Sequence, residues 1–371
     1  MTADTLSGAT KAPLDSSVVK ADSATRVTFG AFLDAYIAYD RGRPRSLDRG
    51  FTTQAARHSE FNVNLAHVEA VLSAPRVHGR LALQAGTSVQ VNYAGEPRLG
   101  NTSGGDLSRV LQEAYAGYQL RPGLWIDAGV FFSNVGMEGW LSRDNSTYTR
   151  SLVADYSPYY SSGARMVWQA TSNLAVRVDV VNGWQNISEN NEGKSVGVRL
   201  DRTVGKHTTV SWYALAGNEA GGHAERDVPA RTRLFNGVGI RSRALKRLDI
   251  TSQIDLGRES TPDSAGVSRA ARTWSGGMVA ARLMLTPRTA LAGRVERYAD
   301  RHQVVAVTGT ALPLRASGGS LGLDTQVSPS LAWRTEARFL TNRDAVFVDR
   351  AAPSGLAKRN TVLVTSLALS Y

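Results

Sequence analysis

From Arg26 to the C-terminus, apolar and polar residues exchange at almost every step. Leu174, Val176, Val178 and Val180 alternate with Ala175, Arg177 and Asp179, and Leu248, Ile250, Ile254 and Leu256 alternate with Asp249, Thr251, Gln253 and Asp255. Leu331, Trp333, Ala337 and Phe339 alternate with Arg334, Glu336 and Arg338. A period of two is that of a β-strand, whose side chains project to opposite faces in turn. The pattern runs to the last residue: Thr361, Leu363, Thr365, Leu367, Leu369 and Tyr371 share one face, and Val362, Val364, Ser366, Ala368 and Ser370 the other.

Short turns punctuate the runs at Ser73-Ala74-Pro75, Arg121-Pro122-Gly123, Thr171-Ser172-Asn173, Gly205-Lys206-His207, Leu245-Lys246-Arg247, Thr286-Pro287-Arg288 and Ser328-Pro329-Ser330. Their residues are those of tight hairpins, the basic 245–247 turn least typically. Between them lie longer stretches rich in Gly, Asn, Asp, Ser and Arg, at 40–57, 93–107, 135–157, 185–193, 220–231, 260–271, 300–316 and 343–358. Seven short turns alternating with eight long loops predict about sixteen antiparallel strands, an even number with both chain ends on the short-turn side.

Charge in mid-strand decides which face is buried. Arg177/Asp179, Arg199/Asp201, Arg294/Glu296 and Arg334/Glu336 recur on the polar face, where the packed interior of a sandwich would penalise them and a hydrated lumen accepts them. The predicted fold is therefore all-β, an up-and-down transmembrane barrel with an apolar outer belt and a polar interior. Trp125, Trp168, Trp184, Trp212, Trp274, Phe339 and Tyr371 fall near strand ends, as interfacial aromatics do, although each could equally be an ordinary packing residue. No run of about 18 apolar residues exists, which excludes a transmembrane helix. A mean hydropathy of −0.23 suits strands that are apolar on one face.

The 371 residues divide into a polar, Ser/Thr/Ala-rich segment, 1–25, expected to be flexible, and a barrel, 26–371. The first segment has no apolar core of a signal peptide, so the chain is expected to be already processed or to have its start assigned downstream of the true one. The absence of cysteine removes disulfides, thiol catalysis and cysteine metal sites. The net charge of +11 is scattered singly at strand spacing, which argues against nucleic acid as a partner.

Catalytic and metal chemistry find little support. His58, His67, His78, His207, His223 and His302 are dispersed; His67 and His78 flank the first hairpin, but a zinc site needs further ligands and plain lumen histidines are the simpler account. No serine has a G-x-S-x-G setting, and Gly237-Val238-Gly239 and Gly318-Gly319 lack the strand-turn-helix context of nucleotide loops. No cofactor is called for and no enzymatic role is expected.

The loop at 135–157 carries Glu138, Trp140, Arg143, Asp144, Tyr148, Arg150 and Asp155. It is expected to fold inward and narrow the lumen, Glu138, Arg143, Asp144 and Arg150 forming the constriction; the alternative is an external loop packed on its neighbours. Arg165, Arg177, Arg199, Arg294 and Arg334 would face it from the wall, partly neutralised by Asp127, Asp179, Glu296 and Glu336. Rings of one charge set ion preference only where they line a constriction, because fixed charge is screened within about 8–10 Å. A weak anion preference is expected.

The stretch LQEAYAGYQLRPGLWIDAGVFFSNVGMEGW (Leu111 to Trp140), SRDNSTYTRSL followed by Pro158, and VVNGWQN (Val180 to Asn186) resembles the OmpL-like β-barrel porin family of Gram-negative bacteria. GNEAGG (Gly217 to Gly222), GRVERYAD (Gly293 to Asp300) and WRTEARF (Trp333 to Phe339) look like that family's later strands. The likeness spans roughly Phe29 to the end. It implies short periplasmic turns, long external loops and an outer-membrane channel for small solutes; with the inward Arg and Asp/Glu positions the expectation is passive diffusion of small polar or anionic solutes. It also implies contact with outer-membrane lipid, recognition of Tyr371 by the periplasmic assembly machinery, and a homotrimer as one option. The Arg-rich composition departs from the family and bears on solute preference. A non-conducting adhesin or scaffold barrel, and less favourably a barrel hydrolase, are the competing readings.

Overall fold

The structure is a computed structural model that describes residues 24–98, 100–219, 231–262 and 269–371. Most of the predicted segment 1–25, the cores of the loops 220–231 and 260–271, and His223 lie outside the described residues. The strands are β1 Arg26–Asp40, β2 Phe61–Ser73, β3 Val77–Ala85, β4 Leu111–Arg121, β5 Leu124–Phe132, β6 Tyr160–Thr171, β7 Leu174–Val181, β8 Ser195–Val204 and β9 Thr208–Asn218. They continue as β10 Thr232–Leu245, β11 Leu248–Pro262, β12 Arg269–Met284, β13 Thr289–Asp300, β14 Leu314–Ser328 and β15 Leu331–Asn342. A two-stranded hairpin, β16 Phe347–Val348 with β17 Leu356–Ala357, sits in the last long loop before β18 Arg359–Ser370.

Sixteen of these strands form one closed barrel in which each pairs antiparallel with its sequence neighbours, and β1 pairs with β18 to close it. Closure satisfies every backbone edge, which is what permits β-strands to cross lipid. The closing register sets Phe32 opposite Ser370 and Asp40 opposite Val362, and Tyr371 exchanges backbone hydrogen bonds with Ala31 (2.9 and 3.2 Å). All seven predicted turns connect consecutive strands at one end, and both termini of the barrel lie at that end.

The two faces follow the alternation. On β1, Phe32, Asp34, Tyr36, Ala38 and Asp40 are buried inward, while Leu33 and Tyr39 are exposed outward. On β15, Arg334, Glu336 and Arg338 point in and Trp333 and Phe339 out. Among the described residues no helix is long and apolar enough to cross a membrane.

Two features differ from the sequence expectation. The run after β3 keeps an alternating look, yet Thr87–Asn92 coils into a short helix, α1. Gly86, at φ 135°, turns the chain out of the sheet there, and Val89 packs with Phe32, Leu65 and Tyr93. The aromatics also divide. Trp212, Phe339 and Tyr371 face outward, but Trp125 and Trp274 are 1% and 3% exposed and lie inside, and Trp184 leaves its loop to pack on Phe235 and Trp274. Periodicity cannot tell a lipid-facing aromatic from one that packs on an inserted loop.

Candidate functional site: a loop across the lumen

After β5 the chain enters the barrel and does not leave it until β6. Arg199, on β8, donates to the carbonyls of Asn134 (3.0 Å) and Gly136 (2.9 Å), and Arg241, on β10, donates to that of Met137 (2.5 Å). The Gln253 side-chain carbonyl accepts the Met137 N–H at 2.8 Å. Asp34, on the opposite side of the sequence, accepts from Ser142 Oγ (2.8 Å) and Tyr148 OH (3.2 Å). The loop thus spans residues 133–159 and is held on strands all around the wall.

Its middle is fastened most heavily. Arg334 donates to the carbonyls of Ser142, Asn145 (3.1 Å) and Ser146 (3.2 Å). Arg294 donates to Thr147 Oγ1 (2.5 Å) and to the Thr149 carbonyl. Glu336 accepts the Thr149 N–H (2.7 Å) and Oγ1 (2.6 Å), and Glu296 accepts the Leu152 N–H at 2.6 Å. These are charge-assisted bonds, stronger than neutral ones. Leu152 opens a one-turn helix, α2 Leu152–Asp155, whose preceding Ser151 accepts from the Ala154 N–H at 3.3 Å.

Apolar packing reinforces the seat. Met137, Leu152 and Val153 of the loop join inward Tyr213, Phe235, Trp274, Met278 and Tyr298 in one buried cluster. Trp140, Leu141, Ala154 and Tyr159 join Phe32, Leu65 and Tyr160 in another. Burying a leucine as completely as Leu152 contributes about 1.5–3 kcal/mol. The interior is therefore not uniformly wet, a correction to the polar lumen expected from sequence: an inserted loop must present apolar side chains to something.

Each predicted residue can now be located. Arg165 pairs with Asp127 (2.7 Å) and lies over the rings of Tyr115 and Phe131. Asp179 is its cross-strand partner in register, and Arg177 is directly opposite Arg199 on the β7–β8 ladder. Arg199 pairs with Asp201 (2.8 Å), Arg294 with Glu296 (3.1 Å) and Arg334 with Asp324 (2.9 Å). Glu336 is 3.9 Å from Arg294. Arg199, Arg294 and Arg334 touch the loop through hydrogen bonds; Arg165 and Arg177 have no hydrogen bond to it among the described residues.

On the loop itself, Glu138 accepts the Ser151 N–H at 2.9 Å and lies 3.8 Å from Arg294. Arg150 is wholly buried, 3.8 Å from the Tyr159 ring centroid and 3.6 Å from Asp155. Burial pushes the Asp155 carboxyl above the usual carboxylate range, against the pull of Arg150 and Arg338. Arg143 and Asp144 are instead exposed and 3.7 Å apart. Beside Asp144 a narrow cleft, lined by Met137, Glu138, Asp144, Asn145, Arg241 and Thr251 among others, separates the loop from β10–β12.

Several partners escaped the sequence reading: Asp34, Arg241, Gln253 and Arg338, which joins Glu296 at 3.0 Å. Asp34 and Arg338 are mid-strand charges flanked by apolar residues, the signal that picked out the ladder, and could have been found by it; Arg241, between Ile240 and Ser242, shows the signal on one side only. Nothing local marks Gln253. His67 and His78 serve separate partners: His78 meets Asp127 (2.6 Å) and stacks on Trp125 (4.2 Å between centroids), while His67 faces Glu69 at 3.8 Å.

A closed sixteen-strand barrel, apolar outside, lined by charge and crossed by a loop fixed to its inner wall, defines a channel of the bacterial outer membrane. The chain belongs to the family described as Putative beta-barrel porin-2, OmpL-like, whose model matches residues 26–371. It is an outer-membrane porin, a diffusion channel. Solved structures agree in fold. The outer membrane channel DcaP of Acinetobacter baumannii is 11% identical, with a TM-score of 0.63 over 94% of this chain and 98% of that one. The anion-selective porin from Comamonas acidovorans is 9% identical, with a TM-score of 0.55 over 94% and 100%. The trimer form of OmpT from Vibrio cholerae, in-vitro folded, is 9% identical, with a TM-score of 0.60 over 94% and 100%. A comparison with curated proteins finds no match.

Proposed function

We propose that this porin passes small polar solutes, with a weak preference for anions, through the space that loop 133–159 leaves between itself and the wall. The observation that carries the reading is the placement of charge. Arg165, Arg199, Arg294 and Arg334 each have a carboxylate within 3.1 Å, so the ladder contributes little net field, and Arg199, Arg294 and Arg334 serve also to anchor the loop. The cation surplus that survives pairing is small: Arg143 and Asp144 offset each other beside the cleft, and Arg241 points its guanidinium at a loop carbonyl. Small polar solutes fit the mixed lining, and catalysis has no part in the reading. The Comamonas acidovorans porin, anion-selective by description, supports the sign of the preference, and the OmpT trimer supports a trimeric assembly. Lipid surrounds the outer belt, and the assembly machinery reads Tyr371.

The test is conductance of the refolded protein in a planar bilayer under a salt gradient. The expected result is stepwise current with a small reversal potential of the sign for anion flow. A correctly folded barrel that carries no current would overturn the channel assignment to this lumen, and a strong reversal potential of either sign would overturn the paired-charge account.

A further inference from the structure

The end of the barrel that carries the short turns is basic in an unusual way. Arg26, Arg76, Arg121, Arg202, Lys206, Lys246, Arg247 and Arg288 are all exposed there. Among the described residues none of the eight forms an ion pair within 4 Å, and the turns at 74–76, 122–123, 172–173, 205–207, 246–247, 285–288 and 329–330 contain no Asp or Glu. The opposite end mixes signs and pairs many of its cations: Arg57 with Asp48 (2.6 Å), Arg109 with Asp106 (2.7 Å), Arg315 with Asp344 (2.6 Å).

These cations border the apolar belt. Val27, Val77, Leu120, Val204, Leu245 and Leu285, each 40–66% exposed, stand next to or within a few residues of them. Two are fixed against outward aromatics. Arg76 lies 4.8 Å over the Tyr118 ring and donates to the carbonyls of Gln119 (2.9 Å) and Leu120 (3.3 Å); Arg121 lies 5.7 Å over Trp168. A guanidinium stacked on an amphipathic ring where apolar surface ends is at the depth of lipid headgroups.

We propose that this rim binds the headgroups of anionic glycerophospholipids in the leaflet that meets the short-turn end. Unpaired cations supply the charge complement, and the adjacent apolar side chains hold the acyl chains of the same lipids. A soluble acidic protein would use the charge but not the exposed leucines and valines, so the lipid surface is favoured.

The experiment uses the full chain refolded into phosphatidylcholine vesicles doped with spin-labelled phosphatidylglycerol or spin-labelled phosphatidylcholine. The protein-immobilised fraction of each probe gives their relative association. Wild type is expected to favour the anionic probe by about fivefold at low salt, the effect of one cation near a charged headgroup, and to lose the preference at high salt. The combined variant Arg76→Gln, Arg121→Gln, Lys246→Gln, Arg247→Gln and Arg288→Gln is expected to lose most of that preference. A control with Arg41→Gln, Arg43→Gln and Arg350→Gln at the other end is expected to keep the preference. Heat-modifiable gel mobility verifies that each variant is folded, and conductance in the same vesicles reports the pore separately. Absence of preference in wild type, its persistence in the five-site variant, or equal loss in the control would overturn the proposal. Binding of soluble polyglutamate by the detergent-solubilised wild type without any lipid preference would overturn it in favour of an acidic protein.

Discussion

Arg294 is the fastening whose removal is most informative. Its side chain is fully buried, it donates to Thr147 Oγ1, the Thr149 carbonyl, Thr149 Oγ1 (3.2 Å), Glu296 (3.1 Å) and Ser320 Oγ (3.2 Å), and Glu138 and Glu336 lie within 3.9 Å. Arg294→Met keeps the volume and removes the charge and every donor. Breaking one partner of a buried pair typically destabilises by about 3–5 kcal/mol. Here the lower end applies, because Glu296 keeps Arg338 at 3.0 Å and Glu336 keeps both Thr149 bonds. About 3 kcal/mol placed on the docking of the loop raises the population of undocked loop roughly a hundredfold. In single-channel recording this is expected as frequent excursions to a larger conductance level, rare in wild type. Arg165→Met, which removes a wall cation that makes no hydrogen bond to the loop among the described residues, is expected to move the reversal potential without adding excursions. Arg294→Met recordings indistinguishable from wild type in level and noise would refute the view that this loop sets the aperture.

Other expectations concern packing, acid and assembly. A methyl group on Gly117 would stand 2.1 Å from Asp127 Oδ1 and 2.2 Å from His78 Nε2, so Gly117→Ala is expected to destabilise by about 1–3 kcal/mol and to lower the temperature at which the barrel loses its compact gel mobility. Glu60 is held below the usual carboxylate range by hydrogen bonds from Arg57 and Asn62; a depressed value stabilises above the ordinary 4.5 and loses that contribution as pH falls through the folded value. Hydrogen exchange across 41–60, corrected for intrinsic rate, is therefore expected to rise in acid, and Glu60→Gln is expected to flatten that dependence. Tyr371 is 88% exposed, and its structural contribution is the backbone pairing with Ala31. Tyr371→Ala is expected to refold in detergent as wild type does but to accumulate poorly in the outer membrane of cells, a difference that immunoblotting of fractions would measure.

Much of the fold was legible because a barrel wall is a local object. Leu174 to Val181 shows both faces in eight residues, and Pro122-Gly123 or Ser172-Asn173 shows a turn in two. The charged positions on the inner wall were legible by the same rule, applied to Arg177, Arg294 or Arg334. What they do was less legible, because it depends on partners distant in the chain: Arg334 meets a carbonyl 192 residues away, and Thr149 meets Glu336 across 187. A guanidinium reads as a free cation until its partners are known, and here Arg199, Arg294 and Arg334 each meet both a carboxylate and the inserted loop. Thr87–Asn92 was obscured for a simpler reason, since six residues with two valines two apart fit either period until Gly86 breaks the strand.

The manner of closure has a kinetic consequence. Fifteen of the sixteen ladders join consecutive barrel strands, but the last joins Phe32 to Ser370, nearly the full length of the chain. Hairpins can zip one after another as they become available; the cylinder cannot shut until the final residues arrive. Loop 133–159 bonds to β1 through Asp34 and to β13 and β15 through Arg294 and Arg334, so it joins parts of the sheet that zip early to parts that zip late. Bonds that span early and late strands add to the closure of the cylinder, so weakening them is expected to slow refolding as well as widen the pore.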